Sequence, residues 1–211
     1  MKRLAIIGSE DLACQIAHLA IDQNLYQISG FFDDFKPKGS FVRNIPILGG
    51  IEDVQKAFKD LLFDEIIIGI GYKHISFRDD LFERFKMDIP FGSIIHSSAY
   101  IDKTVTIGKG SVIFPCCTID MHVKIGNNCL FYNGCIIAHD SKIASNSIFS
   151  PGVKIAGFCD LGKNTILGIG TIVSDNITIT NDVKTGAGAV VVKNLDESGV
   201  YIGIPAKKMN S

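Results

Sequence analysis

The sequence has 211 residues, of which 46% are hydrophobic and 20% are charged, and its formal net charge is -1. This length and composition are typical of a soluble globular chain with one large or two small domains. A charge this close to zero argues against nucleic acid as a partner, and no apolar stretch approaches the ~18 residues that span a bilayer. We therefore expect a cytoplasmic protein without a membrane-inserted segment.

Residues 1–94 alternate between strand-like and helix-like stretches. Short apolar runs predict strands, and apolar residues at helical spacing predict helices. In chain order, the predicted elements are strand 4–7, helix 11–21, strand 26–32, helix 51–62, strand 65–70 and helix 77–85. This alternation predicts a small doubly wound, Rossmann-like parallel sheet.

Turns after the predicted strands carry the candidate binding residues of this first domain. In doubly wound sheets, ligands bind beyond the carboxyl ends of the strands. Glycine turns expose backbone N–H groups to a pyrophosphate, and a carboxylate can accept hydrogen bonds from a base or a ribose. The candidate nucleotide-binding residues are Gly8, Asp33, Asp34, Lys36, Gly69 and Gly71.

Residues 95–211 follow a different period. From Ile95 to Ile179, a bulky apolar residue recurs at every sixth position, and Thr185 is the first exception. A small or β-branched residue follows each bulky one by four positions. This pattern is typical of a hexapeptide β-solenoid, here a left-handed parallel β-helix, in which three hexads form one coil of a triangular prism.

The hexad pattern also accounts for most of the cysteines. No two cysteines have the Cys-x-x-Cys spacing of a zinc or redox site. Four of the six occupy the small, inward-facing position of their hexads and are predicted to be core residues: Cys117, Cys129, Cys135 and Cys159.

The repeats and three further segments resemble known enzymes. Hexads such as 107–111, 125–129 and 161–165 resemble those of the hexapeptide-repeat acyltransferases. The whole chain resembles bacterial sugar O- and N-acetyltransferases that carry a nucleotide-sugar-binding domain before the solenoid. These include the UDP-4-amino-sugar N-acetyltransferase of the bacillosamine pathway and sialic-acid O-acetyltransferase-like proteins. The closer likeness depends on the segments 32–35, 138–140 and 192–207.

The chain departs from this family at two places. The family commonly has Gly-x-Ser-Gly-His-Gly after the first strand, whereas residues 8–13 read Gly-Ser-Glu-Asp-Leu-Ala. Members also often carry a second histidine nine residues after the catalytic one, and this chain has Ile148 there.

The resemblance implies an activity and its residues. It implies transfer of an acetyl group from acetyl-CoA to the amino group of a nucleotide-linked 4-amino-4,6-dideoxy sugar, without a metal. His139 is then the general base, Asp140 orients it, and Gly157, eighteen residues further on, supplies the oxyanion N–H. It also implies a homotrimer that binds acetyl-CoA between neighbouring prisms. The expected acetyl-CoA contacts are Gly157, Ile169, Gly170, Pro205, Ala206 and Lys207.

Several alternatives follow from the same residues. His18, His74, His96 and His122 are interpreted as structural or solvated, because only His139 matches the family's His-Asp pair. A zinc site of the γ-carbonic anhydrase type would need three converging histidines, and His122 and His139 have no close partner. O-acetylation of a sugar hydroxyl and a non-catalytic nucleotide-sugar-binding scaffold stay open. So do the UDP or dTDP carrier, the sugar stereochemistry and the glycan pathway.

Overall fold

The computed structural model describes residues 1–209. The chain divides into two compact units, Met1–Ile94 and a second unit that begins at Ile95. The first unit is a Rossmann-like α/β domain and the second is a left-handed parallel β-helix. The fold class predicted from the two sequence periods is therefore confirmed.

The first unit is built around a five-stranded sheet with strand order β3-β4-β2-β1-β5. Only the β3–β4 pair is antiparallel. The strands are β1 Arg3–Ile7, β2 Gln27–Phe32, β3 Phe41–Val42, β4 Ile45–Gly49 and β5 Glu65–Ile68. The helices are α1 Asp11–Asp22, α2 Val54–Lys59 and α3 Ile75–Phe85, and short 3-10 turns at Ile51–Asp53 and Tyr72–His74 precede α2 and α3.

Two local features differ from the prediction. The β3–β4 hairpin was not predicted, because Arg43 and Asn44 form its turn at φ +48° and +66°, and this dipeptide lacks the usual glycine. The single helix predicted over 51–62 is a 3-10 turn followed by the shorter α2. Helix α2 ends because Leu61 adopts φ +56°. The N–H of Leu62 then donates to the carbonyl of Ala57 in a Schellman arrangement.

Three sheets form the sides of the second unit. Paired residues on successive coils lie eighteen positions apart, as Ile119 and Ile137 do, until the closing strands, where Val183 pairs with Gly199. The first side contains Tyr100–Ile101, Thr118–Ile119, Ile136–Ile137, Lys154–Ile155, Ile172–Val173 and Val190–Val191. The second contains Thr106–Ile107, Lys124–Ile125, Lys142–Ile143, Asp160–Leu161 and Thr178–Ile179. The third contains Ile94–Ile95, Val112–Ile113, Leu130–Phe131, Ile148–Phe149, Ile166–Leu167, Val183–Thr185, Gly199–Ile202 and Lys207–Lys208.

The inward residues of the hexads form one continuous core. The four cysteines predicted to lie inward are buried in it as free thiols, which confirms their structural interpretation. Thr185, the exception in the bulky series, is also buried. Its hydroxyl lies 2.7 Å from that of Thr171 and accepts the N–H of Gly168 at 2.9 Å. The hydroxyl of Thr185 therefore has hydrogen-bond partners inside the core.

The fourth residue of almost every hexad turns the chain at a corner with positive φ. Gly110, Gly134, Gly152, Gly170 and Gly188 occupy five of these corners. Nine other corners hold Cys116, His122, Asn128, Asp140, Asn146, Phe158, Asn164, Asn176 and Asp182, with φ between +55° and +61°. Asparagine and aspartate tolerate this conformation because their short polar side chains can hydrogen-bond locally. A phenylalanine at such a corner is unusual.

Candidate active site

His139 lies at the corner that follows the first side of the prism, two residues beyond Ile137. Its side chain is 40% exposed, and Nδ1 lies 3.0 Å from Asp140 Oδ2. An ionised carboxylate can only accept, so this contact places the proton on Nδ1 and the lone pair on Nε2. Within residues 1–209, Nε2 has no hydrogen-bond partner. The imidazole is therefore arranged as a base with an open nitrogen.

Gly157 lies one coil along from His139 and directly against its ring. A Cβ added to Gly157 would lie 2.8 Å from His139 Cε1 and 3.0 Å from Nε2. Any side chain at residue 157 would therefore displace the imidazole. His139 can hold its observed position only because residue 157 has no side chain.

The backbone N–H of Gly157 is an unused donor. At the corner that follows the second side, the corresponding N–H groups of Lys109, Asn127 and Lys163 are each accepted by a side-chain oxygen one coil along, at 2.8–3.0 Å. Among the described residues, the N–H of Gly157 has no such acceptor. Gly157 is buried, so its N–H is a buried donor without a protein acceptor next to the His139 ring.

Phe158 is a neighbour of His139 that the sequence analysis missed. The two ring centroids are 5.1 Å apart and the rings are nearly perpendicular, at 87°. The N–H of Phe158 also donates to the carbonyl of His139 at 3.1 Å. Phe158 lies eighteen positions after Asp140. The eighteen-residue spacing that pairs His139 with Gly157 therefore also predicts that Phe158 lies at this corner.

The residues predicted to contact acetyl-CoA lie in different parts of the prism. Ala206 donates its N–H to the carbonyl of Val190 at 2.8 Å. This places Pro205 and Ala206 at the C-terminal end of the first side, the side that His139 follows. Lys207 is exposed in the closing strand. Ile169 and Gly170 follow the third side, so they occupy another corner. Within one chain, the structure therefore does not bring them to His139.

The candidate binding residues of the first unit meet at the carboxyl edge of its sheet. Gly8, at φ +94°, donates its N–H to the carbonyl of Phe32 at 2.8 Å. A Cβ added to it would lie 3.2 Å from the carbonyl oxygen of Gly69. Gly69 has a different role, because an added Cβ would lie 2.6 Å from Ala13 Cβ, so its absence lets α1 pack closely. Gly71 borders open space at the same edge.

The two aspartates at this edge differ in availability. Asp33 is buried, and its oxygens accept the hydroxyl of Ser9 at 2.5 Å and the N–H of Phe35 at 2.9 Å. Asp34 is exposed, and one of its oxygens accepts the N–H of Ile51 at 2.7 Å. Asp33 therefore holds the loop in shape, whereas the second carboxylate oxygen of Asp34 has no hydrogen-bond partner among the described residues.

The cations at this edge are partly committed to other groups. Lys36 pairs with Glu10 at 3.0 Å, and this contact raises the pKa of the Lys36 ammonium. Arg78 was not singled out from the sequence. It is fully buried and donates to the carbonyls of Ile68 at 2.8 Å and Ile70 at 3.0 Å, which fixes the chain where β5 ends.

Residues 1–209 contain neither a grouped set of metal ligands nor a helix suited to a membrane. No three His, Cys, Asp or Glu side chains are grouped as the ligands of a metal ion would be. None of the helices in that part of the chain has the length and apolar character that crossing a membrane requires.

Two family descriptions match the chain. Residues 3–85 match the PglD N-terminal domain, and residues 122–157 match the bacterial transferase hexapeptide of six repeats. The chain therefore carries a domain of each kind, in the order that the resemblance predicts. The comparison with curated proteins found no match.

Solved structures match almost the whole chain. The acetyltransferase domain of PglB from Neisseria gonorrhoeae is 24% identical, with a TM-score of 0.90, and the match covers 99% of this chain and 100% of that one. A mutant perosamine N-acetyltransferase from Caulobacter crescentus, in complex with CoA and GDP-perosamine, is 23% identical with a TM-score of 0.92, over 100% and 98%. WeeI from Acinetobacter baumannii is 21% identical with a TM-score of 0.83, over 98% and 99%. These similarities establish the shared fold.

Proposed function

We propose that this chain, with its PglD N-terminal domain and transferase hexapeptide repeats, transfers an acetyl group from acetyl-CoA to the amino group of a nucleotide-linked amino sugar. The observation that carries the proposal is the grouping of His139, Asp140 and Gly157 at one corner of the solenoid. The structurally similar PglB domain has been solved with acetyl coenzyme A, and the perosamine enzyme with CoA and GDP-perosamine. These are the two classes of ligand that the proposed reaction requires.

The reaction begins with removal of a proton from the acceptor. A protonated amine has no lone pair for attack, so Nε2 of His139 takes a proton from the amine while Asp140 holds the proton on Nδ1. The amine nitrogen then forms a bond to the thioester carbon. The carbonyl π electrons move to oxygen, and the tetrahedral intermediate collapses with cleavage of the carbon–sulfur bond. The CoA sulfur leaves with that electron pair and takes up the proton from the imidazolium, while the second proton of the attacking nitrogen passes to solvent and leaves a neutral amide.

The negative charge on the carbonyl oxygen needs a donor where it develops. The unused N–H of Gly157, beside the His139 ring, is our candidate for that role. A backbone donor is already oriented by the coil, so it needs no rearrangement during the reaction. The same corner would then supply both the base and the oxyanion donor.

The first unit is proposed to bind the nucleotide of the acceptor. In this proposal the ligand approaches the backbone at Gly8 and Gly71, Gly69 keeps α1 close to this edge, Asp34 offers a carboxylate oxygen, and Lys36 exchanges Glu10 for a phosphate. The decisive experiment is a coupled thiol-release assay with acetyl-CoA and a panel of 4-amino-4,6-dideoxy sugars linked to UDP, dTDP or GDP. Release with none of the amines, together with release with a sugar hydroxyl acceptor, would indicate O-acetylation. No release with any acceptor would contradict the transferase assignment.

The solenoid is expected to assemble as a homotrimer. The outward positions of the first side present the exposed apolar side chains of Tyr100, Ile136 and Ile172. Thr118 and Lys154 lie on the strands between them, and we expect a neighbouring chain to cover these exposed apolar side chains. Ile169 and Gly170, at another corner, would then reach the same acetyl-CoA from a neighbouring chain. Light scattering at assay concentrations should give three times the chain mass, and a monomer that is fully active would contradict this arrangement.

Asp34 gives a test of the nucleotide site. The variant Asp34→Asn keeps an oxygen that can accept the N–H of Ile51 but removes the charge, so the 3-10 turn before α2 should stay intact. We expect the KM for the nucleotide sugar to rise about 10-fold, since a charged hydrogen bond contributes ~1.5–3 kcal/mol, and the KM for acetyl-CoA to stay unchanged. Steady-state kinetics with each substrate varied in turn measure both. A rise confined to acetyl-CoA would move the acceptor site elsewhere.

A further inference from the structure

Phe158 occupies a conformation that phenylalanine rarely adopts. It has φ +58° and is 57% exposed. The other eight non-glycine residues at corner positions with positive φ are Asn, Asp, His or Cys. Phenylalanine has no polar group to stabilise a left-handed backbone, and at this exposure its ring gains little from burial. The coil alone therefore gives no reason for an aromatic residue here.

The contact with His139 supplies a reason. Asp140 holds the imidazole through one hydrogen bond to Nδ1, and a single hydrogen bond still allows the ring to swing. Gly157 limits movement on one side, because its Cα lies against the ring. Phe158 adds an edge-to-face aromatic contact at 5.1 Å, a geometry that aromatic pairs prefer. Together these contacts restrict the orientation of the ring.

We propose that Phe158 is a positioning residue that holds the His139 imidazole so that Nε2 meets the acceptor. This inference rests on the proposed role of His139 as the base. The ring of Phe158 touches the base, and we assign it no proton and no contact with the reacting atoms. Strain in the Phe158 backbone is then retained because the aromatic contact serves turnover.

The test is a substitution that removes both the backbone strain at residue 158 and the aromatic contact with His139. Asparagine adopts φ +57° to +60° at the corners occupied by Asn146, Asn164 and Asn176, so Phe158→Asn should fold with an equal or higher melting temperature. We expect kcat to fall about 10- to 100-fold, as misplacement of a catalytic group by ~1 Å can cause, with the KM for acetyl-CoA unchanged. Phe158→Tyr keeps the ring and should keep the wild-type kcat.

Leu61 provides a matched control. It is also a bulky residue at positive φ, +56°, and is 70% exposed, but it lies in the first unit after α2. Leu61→Asn should raise the melting temperature in the same way without a change in kcat. Equal kcat in wild type and Phe158→Asn would overturn the proposal. A kcat in Phe158→Tyr as low as that in Phe158→Asn would also overturn it.

A spectroscopic measurement separates this proposal from the proposed function. In ¹³C-histidine-labelled protein, the His139 Cε1–H signal is identified by its loss in His139→Gln. The Phe158 ring current should shift this signal, and Phe158→Asn should abolish the shift and increase ring mobility. If wild-type protein transfers no acetyl group, the function proposal fails. An altered His139 signal would then still support the contact, whereas an unchanged signal would overturn it.

Discussion

Replacement of His139 by alanine is expected to lower kcat by ~10²–10⁴-fold, the usual loss when a general base is removed. Nε2 has no competing partner among the described residues, and the contact with Asp140 places the proton on Nδ1, so Nε2 carries the lone pair that the proposed reaction uses. No other histidine is paired with a carboxylate in this way within residues 1–209. Steady-state turnover with acetyl-CoA and the best nucleotide amino sugar measures the effect.

A matched control makes this result specific. His122 lies at the same corner one coil earlier and is exposed, and His122→Ala should leave kcat unchanged. Near-normal turnover in His139→Ala would show that another group takes the proton.

Much of the fold could be predicted because the core imposes its period on the sequence. A six-residue period brings one bulky side chain inward on each side of a prism, so inward positions could be assigned residue by residue. Thr185 could be identified as an exception, but its partner Thr171 could not, since that contact depends on side-chain rotation in the core. The β3–β4 hairpin escaped because its Arg43–Asn44 turn has no glycine to mark it.

The candidate site divides in the same way. His139 and Gly157 could be paired from the sequence because eighteen residues separate equivalent points on successive coils. The same count also assigns Ile169 to a different corner, so its expected contact with acetyl-CoA requires a neighbouring chain and stays a prediction. Burial of Asp33 could not be predicted, because it depends on a hydrogen bond from Ser9, which lies in another loop. Periodic structure thus makes distant contacts predictable, whereas loops do not.

Substitution of Gly157 is expected to have the second large effect. A Cβ at residue 157 would lie 2.8 Å from His139 Cε1, so Gly157→Ala should displace the imidazole and lower kcat about 100-fold. Gly157 has no positive φ, and the closest atoms to an added Cβ belong to the His139 side chain. The coil should therefore accept alanine with little change in melting temperature. The loss in the single variant combines movement of the base with any obstruction of the thioester.

A double-mutant cycle separates these two causes. In the His139→Ala background there is no imidazole to displace, so an effect that acts only through the base should vanish when Gly157→Ala is added. If the thioester carbonyl approaches the N–H of Gly157, the added methyl group should still lower the residual rate, by about 10-fold or more, because removal of one oxyanion donor costs ~10²–10³ in kcat. The carbonyl stretching frequency of bound ¹³C-acetyl-CoA gives a second reading, and Gly157→Ala should return it towards its value in water. The oxyanion donor would lie elsewhere if Gly157→Ala left the rate of the His139→Ala variant unchanged and the carbonyl frequency did not move. Gly157 would then serve only to leave space for the His139 ring.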